Sequence, residues 1–231
     1  MFEEENNYYI EQLYKSQDAI TYLKNRKIKK STAQFWKLGF YPLNQNNPNI
    51  LSTKMKGRIT IPIYNQNDEL ISISGRYIYK NVKNKYDHYP FPSRNTLFGL
   101  SQNKENIKEQ NCIFITEGQM DVIKSWQAGL KNVVCSFGAH CSLNHIALAS
   151  RYCENIYILY DADFAGQNGA SKTNDFKKYG INLKILNILP SGMDLDNFFN
   201  KYSVNQFYEL LEKYSDNNIK KYILEKEKNN L

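Results

Sequence analysis

The sequence predicts an α/β fold in which a basic α+β subdomain precedes a parallel sheet flanked by helices, with short helices at the C-terminus. The parallel sheet is predicted because residues 111–190 alternate short apolar runs with amphipathic helical segments, the pattern of βαβ crossovers. The α+β part is predicted because residues 57–79 contain two β-branched runs that flank a polar turn, which indicates a β-hairpin.

Helices are predicted to begin the chain. Apolar side chains recur at helical spacing over residues 5–30, and residues 31–40 open with a Ser or Thr cap and end at Gly39. After the hairpin, residues 80–95 are rich in Lys, Asn, Tyr and Pro, which predicts a loop.

Four strands are predicted in the later part of the chain, at NCIFIT, KNVVCSF, NIYILY and NLKILNIL. The helices between them are predicted at MDVIKSWQAGL, SLNHIALASRYC and GQNGASKTNDFKKYG. Beyond Pro190, polar segments with helical spacing predict further helices at 195–202, 205–214 and 217–228.

The composition fits a globular protein of the cytoplasm. Hydrophobic residues make up 42% of the 231 residues and aromatic residues 14%, which is more than a disordered chain contains. No apolar run is long enough to span a membrane, and the N-terminus lacks a secretory signal pattern. The four cysteines have no paired spacing and are interpreted as reduced core thiols.

Positive charge is concentrated in the first half of the chain. The net charge is +7, and residues 19–104 hold 15 Lys and Arg against 3 Asp and Glu. A solvated basic surface is the ordinary interpretation of such a run. The size of the excess and its interleaving with Tyr and Phe favour a polyanionic partner instead.

Six acidic residues fall at or just past the ends of predicted strands. Glu117 follows the first strand, and Asp121 lies one turn into the next helix. The others form two Asp-x-Asp pairs after the third and fourth strands, namely Asp161, Asp163, Asp194 and Asp196. The carboxyl ends of parallel strands meet at one sheet edge, where α/β proteins build their sites. Carboxylates that converge there need cations, and oxygen ligands of this kind suit Mg²⁺ or Mn²⁺.

The alternative for any one of these acids is a role at the start of a helix. Asp and Glu are favoured at N-caps and in first turns because they complement the helix dipole. That alternative is open for Asp194 taken alone. The joint pattern after three separate strands favours metal binding.

Three of these motifs, TEGQMDVI, YDADFAG and GMDLDNFF, together resemble the metal-binding signature of the Toprim domain. That domain is shared by bacterial-type DNA primases, topoisomerases and some nucleases. Segments outside it narrow the resemblance to the RNA polymerase core of bacterial and phage-type (DnaG-like) primases, over about residues 19–200. These segments are AITYLKNRKIKKSTAQFWKLGFYP, KGRITIPIYNQNDELISISGRYI, NKYDHYP, LFGL and VVCSFGAHCSLNHIALASR.

The resemblance implies a role for each matched position. Glu117 is expected to be the catalytic carboxylate and a metal ligand. The five aspartates are expected to bind two or three Mg²⁺ or Mn²⁺ ions with it, namely Asp121, Asp161, Asp163, Asp194 and Asp196. Basic residues at family positions are expected to contact nucleotide phosphates and template DNA, namely Arg58, Arg76 and Lys85. Lys56 and Arg94 are further candidates for the same contacts.

The expected activity is that of a DNA primase from a phage or a plasmid-like element, which makes short RNA primers on single-stranded DNA from NTPs. Residues 1–110 are expected to bind template and NTPs, residues 111–190 to form the catalytic Toprim subdomain, and residues 191–231 to form a helical segment. Two alternatives remain open. One is a Toprim nuclease that uses the same carboxylates to hydrolyse DNA, and the other is a non-catalytic, primase-like module that binds nucleic acid.

The chain departs from cellular primases at both ends. No Cys-x-x-Cys motif is present, so we expect no zinc-binding domain, and we expect no helicase-binding domain after the C-terminal helices. The expected partners are single-stranded DNA, NTPs, and either a replicative helicase or a separate zinc-domain protein, with no membrane.

Overall fold

The computed structural model describes residues 2–47, 50, 53–79, 84–138, 141–159 and 180–214. Contacts within the chain divide it into two compact units, Met1–Pro92 and Ser93–Leu231. None of the described helices is long and apolar enough to cross a membrane. The functional division at residue 110 stays a prediction.

The first unit contains three helices and a four-stranded antiparallel sheet within its described residues. The helices are α1 (Phe2–Lys15), α2 (Gln17–Asn25) and α3 (Lys30–Phe35), and the strands are β1 (Gly39–Tyr41), β2 (Arg58–Tyr64), β3 (Leu70–Tyr77) and β4 (Tyr86–His88). The strand order is β1-β2-β3-β4. The unit is therefore α+β, as the sequence predicts.

The predicted hairpin is confirmed as β2 and β3, and its turn is stabilised by one asparagine. Asn65 Oδ1 accepts hydrogen bonds from the Asn67 and Glu69 amides at 2.9 and 3.1 Å. Asp68 adopts the left-handed conformation, with φ of 66°. Asn and Asp tolerate that conformation and bond to nearby backbone, which explains why this polar segment turns the chain.

Three predicted elements of this unit differ in the structure. The single helix expected over residues 5–30 is divided into α1 and α2, because Ser16 caps α2 by accepting from the Ala19 amide at 3.3 Å. The helix expected over residues 31–40 ends at Phe35, and Lys37 then takes a positive φ of 50° before β1 begins. The loop expected over residues 80–95 contains β4, which pairs with β3 through the Arg76–Tyr86 register.

Glycine at position 39 allows α1 to lie against the start of β1. A Cβ atom at Gly39 would lie 2.5 Å from Thr60 Oγ1 and 2.6 Å from the Tyr9 carbonyl carbon. Such distances require something to move, so the close approach of helix and sheet depends on the missing side chain. The core on this side contains tyrosines rather than only aliphatic residues: Tyr9, Tyr41 and Tyr89 pack with Met55 and Ile73.

The second unit contains a parallel sheet in the order β6-β5-β7-β8. Its strands are β5 (Cys112–Thr116), β6 (Val133–Cys135), β7 (Asn155–Ile158) and β8 (Asn182–Ile185). The described helices are α4 (Leu100–Gln110), α5 (Gln119–Ala128), α6 (Leu143–Ala149), α7 (Leu195–Phe198) and α8 (Val204–Tyr214). All four predicted strands are confirmed, and α4 is a helix that the sequence analysis did not predict.

The central strand β5 sets the core of this unit. Ile113, Phe114 and Ile115 are fully buried, because β5 has a parallel neighbour on each side and side chains packed on both faces. The aromatic rings of Tyr157 and Phe207 contact Phe114, at centroid distances of 5.3 and 5.5 Å. Most of the helix predicted over residues 166–180, and the helix predicted over residues 217–228, lie outside the described residues.

Candidate metal and nucleic-acid sites

Glu117 lies at the carboxyl edge of the parallel sheet, at the end of β5. It directly follows Thr116, the last residue of β5, and its side chain is half-buried. The Glu117 carbonyl accepts a hydrogen bond from the Gly138 amide at 2.9 Å, which joins the ends of β5 and β6. Gly138 has a φ of 139°, a conformation that glycine adopts without strain. The position of Glu117 is therefore fixed by the sheet edge.

The side chain of Asp121 folds back over the start of α5 and is buried. It is the third residue of the helix, and its Oδ2 accepts from the Gly118 amide at 3.2 Å. A Cβ atom at position 118 would lie 2.9 Å from the same oxygen, so glycine there gives the carboxylate room. The other carboxylate oxygen, Oδ1, accepts from the Asp196 amide at 3.1 Å. This hydrogen bond connects α5 to α7 over 75 residues of sequence.

The environment of Asp121 disfavours its charge. Burial, followed by the negative charge of Asp194, raises the pKa of Asp121 to about 7. The two backbone amides that donate to the carboxylate oppose this shift but do not cancel it. Acidic side chains of α5 and α7 are therefore close enough to interact electrostatically.

Asp194 and Asp196 stand at the start of α7. Asp194 is its N-cap, and Asp194 Oδ1 accepts from the Asn197 amide at 2.7 Å. The helix-start role left open for Asp194 is thus present in the structure, and it uses one of the two carboxylate oxygens. Asp196 is 5% exposed and lies in the first turn.

The remaining acidic motif, with Asp161 and Asp163, lies outside the described residues. Among the residues that are described, no group of three or more His, Cys, Asp or Glu side chains is arranged to hold a metal ion. The structure thus brings Asp121 into contact with Asp196 and within electrostatic range of Asp194. The predicted ligand set as a whole stays a prediction.

A buried lysine beside the acids was missed by the sequence analysis. Lys124 is 2% exposed, and its Nζ donates to Asn200 Oδ1 at 2.8 Å, which links α5 to the segment after α7. Its spacing of three residues from Asp121 was the available signal, because such residues share a helix face. A lysine on an amphipathic helix is ordinarily exposed, so the pattern alone did not single it out.

In the first unit, Arg58 is buried and bonded to backbone. Its Nε donates to the Lys54 carbonyl at 3.1 Å, and its Nη1 donates to the Gly75 and Lys85 carbonyls at 3.3 and 3.1 Å. Its guanidinium also lies 5.3 Å from the ring centroid of Tyr77. Arg58 is 7% exposed. It therefore fixes the backbone of the segment that carries Lys85.

Arg76 is 6% exposed and bonded to tyrosines. Its Nε donates to Tyr22 Oη at 2.5 Å, and its Nη1 donates to Tyr86 Oη. Arg58 pairs with Tyr77 and Arg76 pairs with Ile59 in the β2–β3 register. Because successive residues of a strand alternate in direction, the two arginines are directed to opposite faces of the sheet.

The other three basic candidates are more exposed. Lys56 Nζ donates to Asn46 Oδ1 at 2.5 Å and lies 5.8 Å from the Tyr41 ring centroid. Lys85 is exposed and precedes β4. Arg94 is exposed in the Ser93–Asn95 turn, which belongs to the second unit. The five basic candidates therefore divide between the two units, four in the first and one in the second.

Comparison with known proteins finds a family that matches part of the second unit. Residues 114–199 match a family described as Toprim-like. The chain is 35% identical over 164 residues to a DNA primase of Staphylococcus epidermidis, which is 69% of this chain and 27% of that protein. It is 36% identical over 159 residues to a DNA primase of Staphylococcus aureus, covering 67% and 26%. The chain thus spans about a quarter of the length of these curated relatives.

Solved structures match both units of the chain. A DnaG primase catalytic domain bound to single-stranded DNA has a TM-score of 0.77 and 25% identity, over 91% of this chain and 79% of that chain. The zinc-binding and RNA polymerase domains of the Aquifex aeolicus primase have a TM-score of 0.76 and 25% identity, over 90% and 58%. The chain therefore carries a Toprim-like domain within the fold of a DnaG-like RNA polymerase core.

Proposed function

We propose that this chain is the catalytic core of a DNA primase, which synthesises short RNA primers on single-stranded DNA from NTPs by metal-dependent nucleotidyl transfer. The observation that carries the proposal is the hydrogen bond from the Asp196 amide to Asp121 Oδ1. It joins two acidic motifs, on α5 and α7, at the sheet edge where Glu117 also lies. The named relatives and the matched solved structures support the same activity.

The acidic residues fit a divalent metal centre. The Asp121 carboxyl has a pKa raised by burial and by Asp194, so a cation nearby would relieve an unfavourable clustering of negative charge. Carboxylate oxygens are the donors that Mg²⁺ and Mn²⁺ prefer. The residues that would hold two or three ions are Asp121, Asp161, Asp163, Asp194 and Asp196, with Glu117. Such ions supply electrostatic stabilisation of the transferring phosphoryl group and acidify the attacking hydroxyl.

Glu117 is the proposed general base. Its carboxylate follows β5 at the sheet edge and is half-buried, so it can meet a bound nucleotide while keeping its position. In primer synthesis the nucleophile is a ribose 3′-hydroxyl, which must lose its proton near neutral pH. Glu117 accepts that proton, or orients the hydroxyl that loses it.

The basic residues of the first unit are the proposed contacts for template and triphosphate. Arg76 and Arg58 have their guanidinium groups oriented by neutral partners, and Lys85, whose carbonyl accepts from Arg58, is exposed. Cationic side chains bind phosphate oxygens and release counterions from nucleic acid. A replicative helicase or a separate zinc-domain protein is the proposed protein partner.

The decisive experiment uses single-stranded DNA, labelled NTPs and Mg²⁺ or Mn²⁺ with the purified chain. Products longer than the input nucleotides, dependent on both template and metal, are the expected result. Shortened DNA would replace the proposal with a Toprim nuclease. Binding of DNA without either product would replace it with a non-catalytic module.

A further inference from the structure

The guanidinium of Arg76 is oriented by two tyrosines from different elements. Arg76 lies on β3, Tyr22 on α2 and Tyr86 on β4. Arg76 Nε donates to Tyr22 Oη at 2.5 Å, Arg76 Nη1 donates to Tyr86 Oη, and the guanidinium carbon lies 5.0 Å from the Tyr86 ring centroid. A planar guanidinium that is fixed at two nitrogens and stacked on a ring has little rotational freedom.

Both hydrogen-bond partners of Arg76 are neutral. A buried cation ordinarily has a carboxylate partner, since burial without one is costly. Within the described part of the chain, none of the carboxylates forms an ion pair with Arg76. Burial raises the pKa of Tyr86 to about 12, although Arg76 opposes the shift, so this phenol stays uncharged near neutral pH. The positive charge of Arg76 is therefore oriented but not cancelled.

Arg76 also keeps hydrogen-bonding capacity for a ligand. A guanidinium has five N–H groups. Two of them are donated to Tyr22 and Tyr86, which leaves three on Nη1 and Nη2 without an acceptor among the described residues. Those donors are paired in the fork geometry that binds two phosphate oxygens at once.

A second cation lies next to the same tyrosines. The Arg26 guanidinium is 5.8 Å from the ring centroid of Tyr22, and its positive charge also acts on Tyr86. Arg26, Tyr22, Arg76 and Tyr86 thus form a cluster in which cationic and aromatic side chains alternate. Such a cluster has a strongly positive potential, which suits an anionic ligand.

We infer that Tyr22 and Tyr86 are positioning residues, which hold Arg76 oriented and charged for a phosphate group of the DNA template or of an NTP. The inference rests on the proposed function and adds to it the two residues through which Arg76 acts. The hydroxyl groups of these tyrosines orient Arg76 because they accept its hydrogen bonds, and they leave its charge in place because they are neutral. An acidic residue at either position would orient Arg76 equally well but would neutralise it.

The test removes only the hydroxyl groups. The variants are Tyr22→Phe, Tyr86→Phe and their combination, in the full chain. Tyr79→Phe is the matched control, because Tyr79 Oη donates to Asp18 of α2, the helix that carries Tyr22, at 2.9 Å instead of accepting from Arg76. The binding of a fluorescein-labelled oligo(dT) is measured by anisotropy at several salt concentrations. The binding of ATP with Mg²⁺ is measured by calorimetry, and the melting temperature is measured for every variant.

The double variant is expected to weaken the binding of oligo(dT), of ATP, or of both, by about three- to tenfold, as for the loss of one or two hydrogen bonds. The arm that weakens identifies the source of the phosphate. The salt dependence of DNA binding should stay as in the wild type, because the charge of Arg76 remains. Tyr79→Phe should bind both ligands normally.

Arg76→Ala separates the failure of this inference from the failure of the proposed function. Weaker binding by Arg76→Ala together with wild-type binding by the double tyrosine variant would overturn the positioning role alone. Wild-type binding of both ligands by Arg76→Ala would overturn the phosphate contact itself, and the positioning role with it. Equal losses of affinity and melting temperature in Tyr79→Phe and the double variant would reduce the effect to a general loosening of the first unit, and would also overturn the inference.

Discussion

The two units of this chain each gather charges of one sign, namely acidic side chains at the sheet edge of the second unit and buried arginines in the first. In the second unit, the buried Asp121 is close enough to Asp194 for the negative charge to raise its pKa to about 7, after the larger effect of burial. In the first unit, Arg58 and Arg76 are buried but are bonded to carbonyls and hydroxyls. Like charges would not be gathered in this way for stability alone.

The difference between the units lies in how the charge is held. The acids of the second unit accept hydrogen bonds from backbone amides at helix starts, namely those of Gly118, Asp196 and Asn197. Arg58 and Arg76 of the first unit donate to backbone carbonyls and to tyrosine hydroxyls. Amides stabilise a carboxylate and carbonyls stabilise a guanidinium without neutralising either. This difference supports the proposal that one unit binds cations and the other binds phosphates.

The largest effect is expected when the acidic pair outside the described residues, Asp161 and Asp163, is replaced. Asp161→Asn with Asp163→Asn should abolish primer synthesis, because two carboxylate ligands are lost from the proposed metal centre. Binding of single-stranded DNA should be retained or slightly stronger, since negative charge is removed. Primer synthesis on a single-stranded template and anisotropy with the same DNA measure the two properties. A double variant that still makes primers would contradict the metal assignment.

The second prediction separates Glu117 from the aspartates. Glu117→Gln should reduce dinucleotide synthesis by at least about a hundredfold, the lower range for the loss of a general base. NTP binding in the presence of metal should survive, because the aspartates keep their charge. A dinucleotide synthesis assay and a binding isotherm are run on the same variant. Full synthesis would exclude the catalytic role, and a parallel loss of NTP binding would make metal binding, rather than proton transfer, the main role of Glu117.

The third prediction tests the basic residues of the first unit. Arg76→Ala and Lys85→Ala should each lower the log–log salt slope of single-stranded DNA binding by roughly 0.7 if each residue contacts one phosphate. Lys15→Ala is a control, since Lys15 is exposed on α1 and its side chain lies 3.7 Å from Glu11. Because Arg76 is buried, the melting temperature of Arg76→Ala is measured together with its DNA binding. An unchanged slope in both variants would move the DNA contact elsewhere.

The smallest expected effect concerns pH and the second unit alone. The pKa of Asp121 is about 7 in the folded chain, against an ordinary value of 3.8. The folded state therefore holds a proton that the unfolded state releases between these values, and the contribution to stability is present below about pH 4 and lost as pH rises toward 7. Asp121→Asn lacks this titration.

Melting temperatures in EDTA measure the difference. The wild type should lose stability relative to Asp121→Asn between about pH 4 and pH 7, since the folded carboxyl holds a proton there that the unfolded carboxyl has released, and the loss should level off above pH 7. Two parallel curves would show that Asp121 does not titrate as its surroundings indicate. Addition of Mg²⁺ or Mn²⁺ should then reduce the loss in the wild type if the ion binds beside Asp121.

The sequence by itself determined the strands β2 and β3, the turn between them, and the four strands of the parallel sheet. The four strands of the parallel sheet are short apolar runs at regular spacing, and Asn65 bonds to amides only two and four residues away. Such features depend on local periodicity and local hydrogen bonds, which a sequence displays directly. The position of Glu117 after a buried strand followed from the same pattern.

Tertiary structure decided what the local pattern could not contain. The strand β4 exists because it pairs with β3, and β1 exists because it pairs with β2. The hydrogen bond between Asp196 and Asp121 spans 75 residues, and Lys124 meets Asn200 across 76. These contacts form only when distant segments pack, so they cannot be inferred from composition or spacing.

The arginines give the clearest case of this division. The sequence indicated that Arg58 and Arg76 belong to a basic segment, because charge can be counted along a chain. It did not indicate that both are buried, that strand pairing directs them to opposite faces, or that Tyr22 holds one of them from a helix. Burial and register depend on which strands pair and which helix covers them. Those are properties of the folded chain alone.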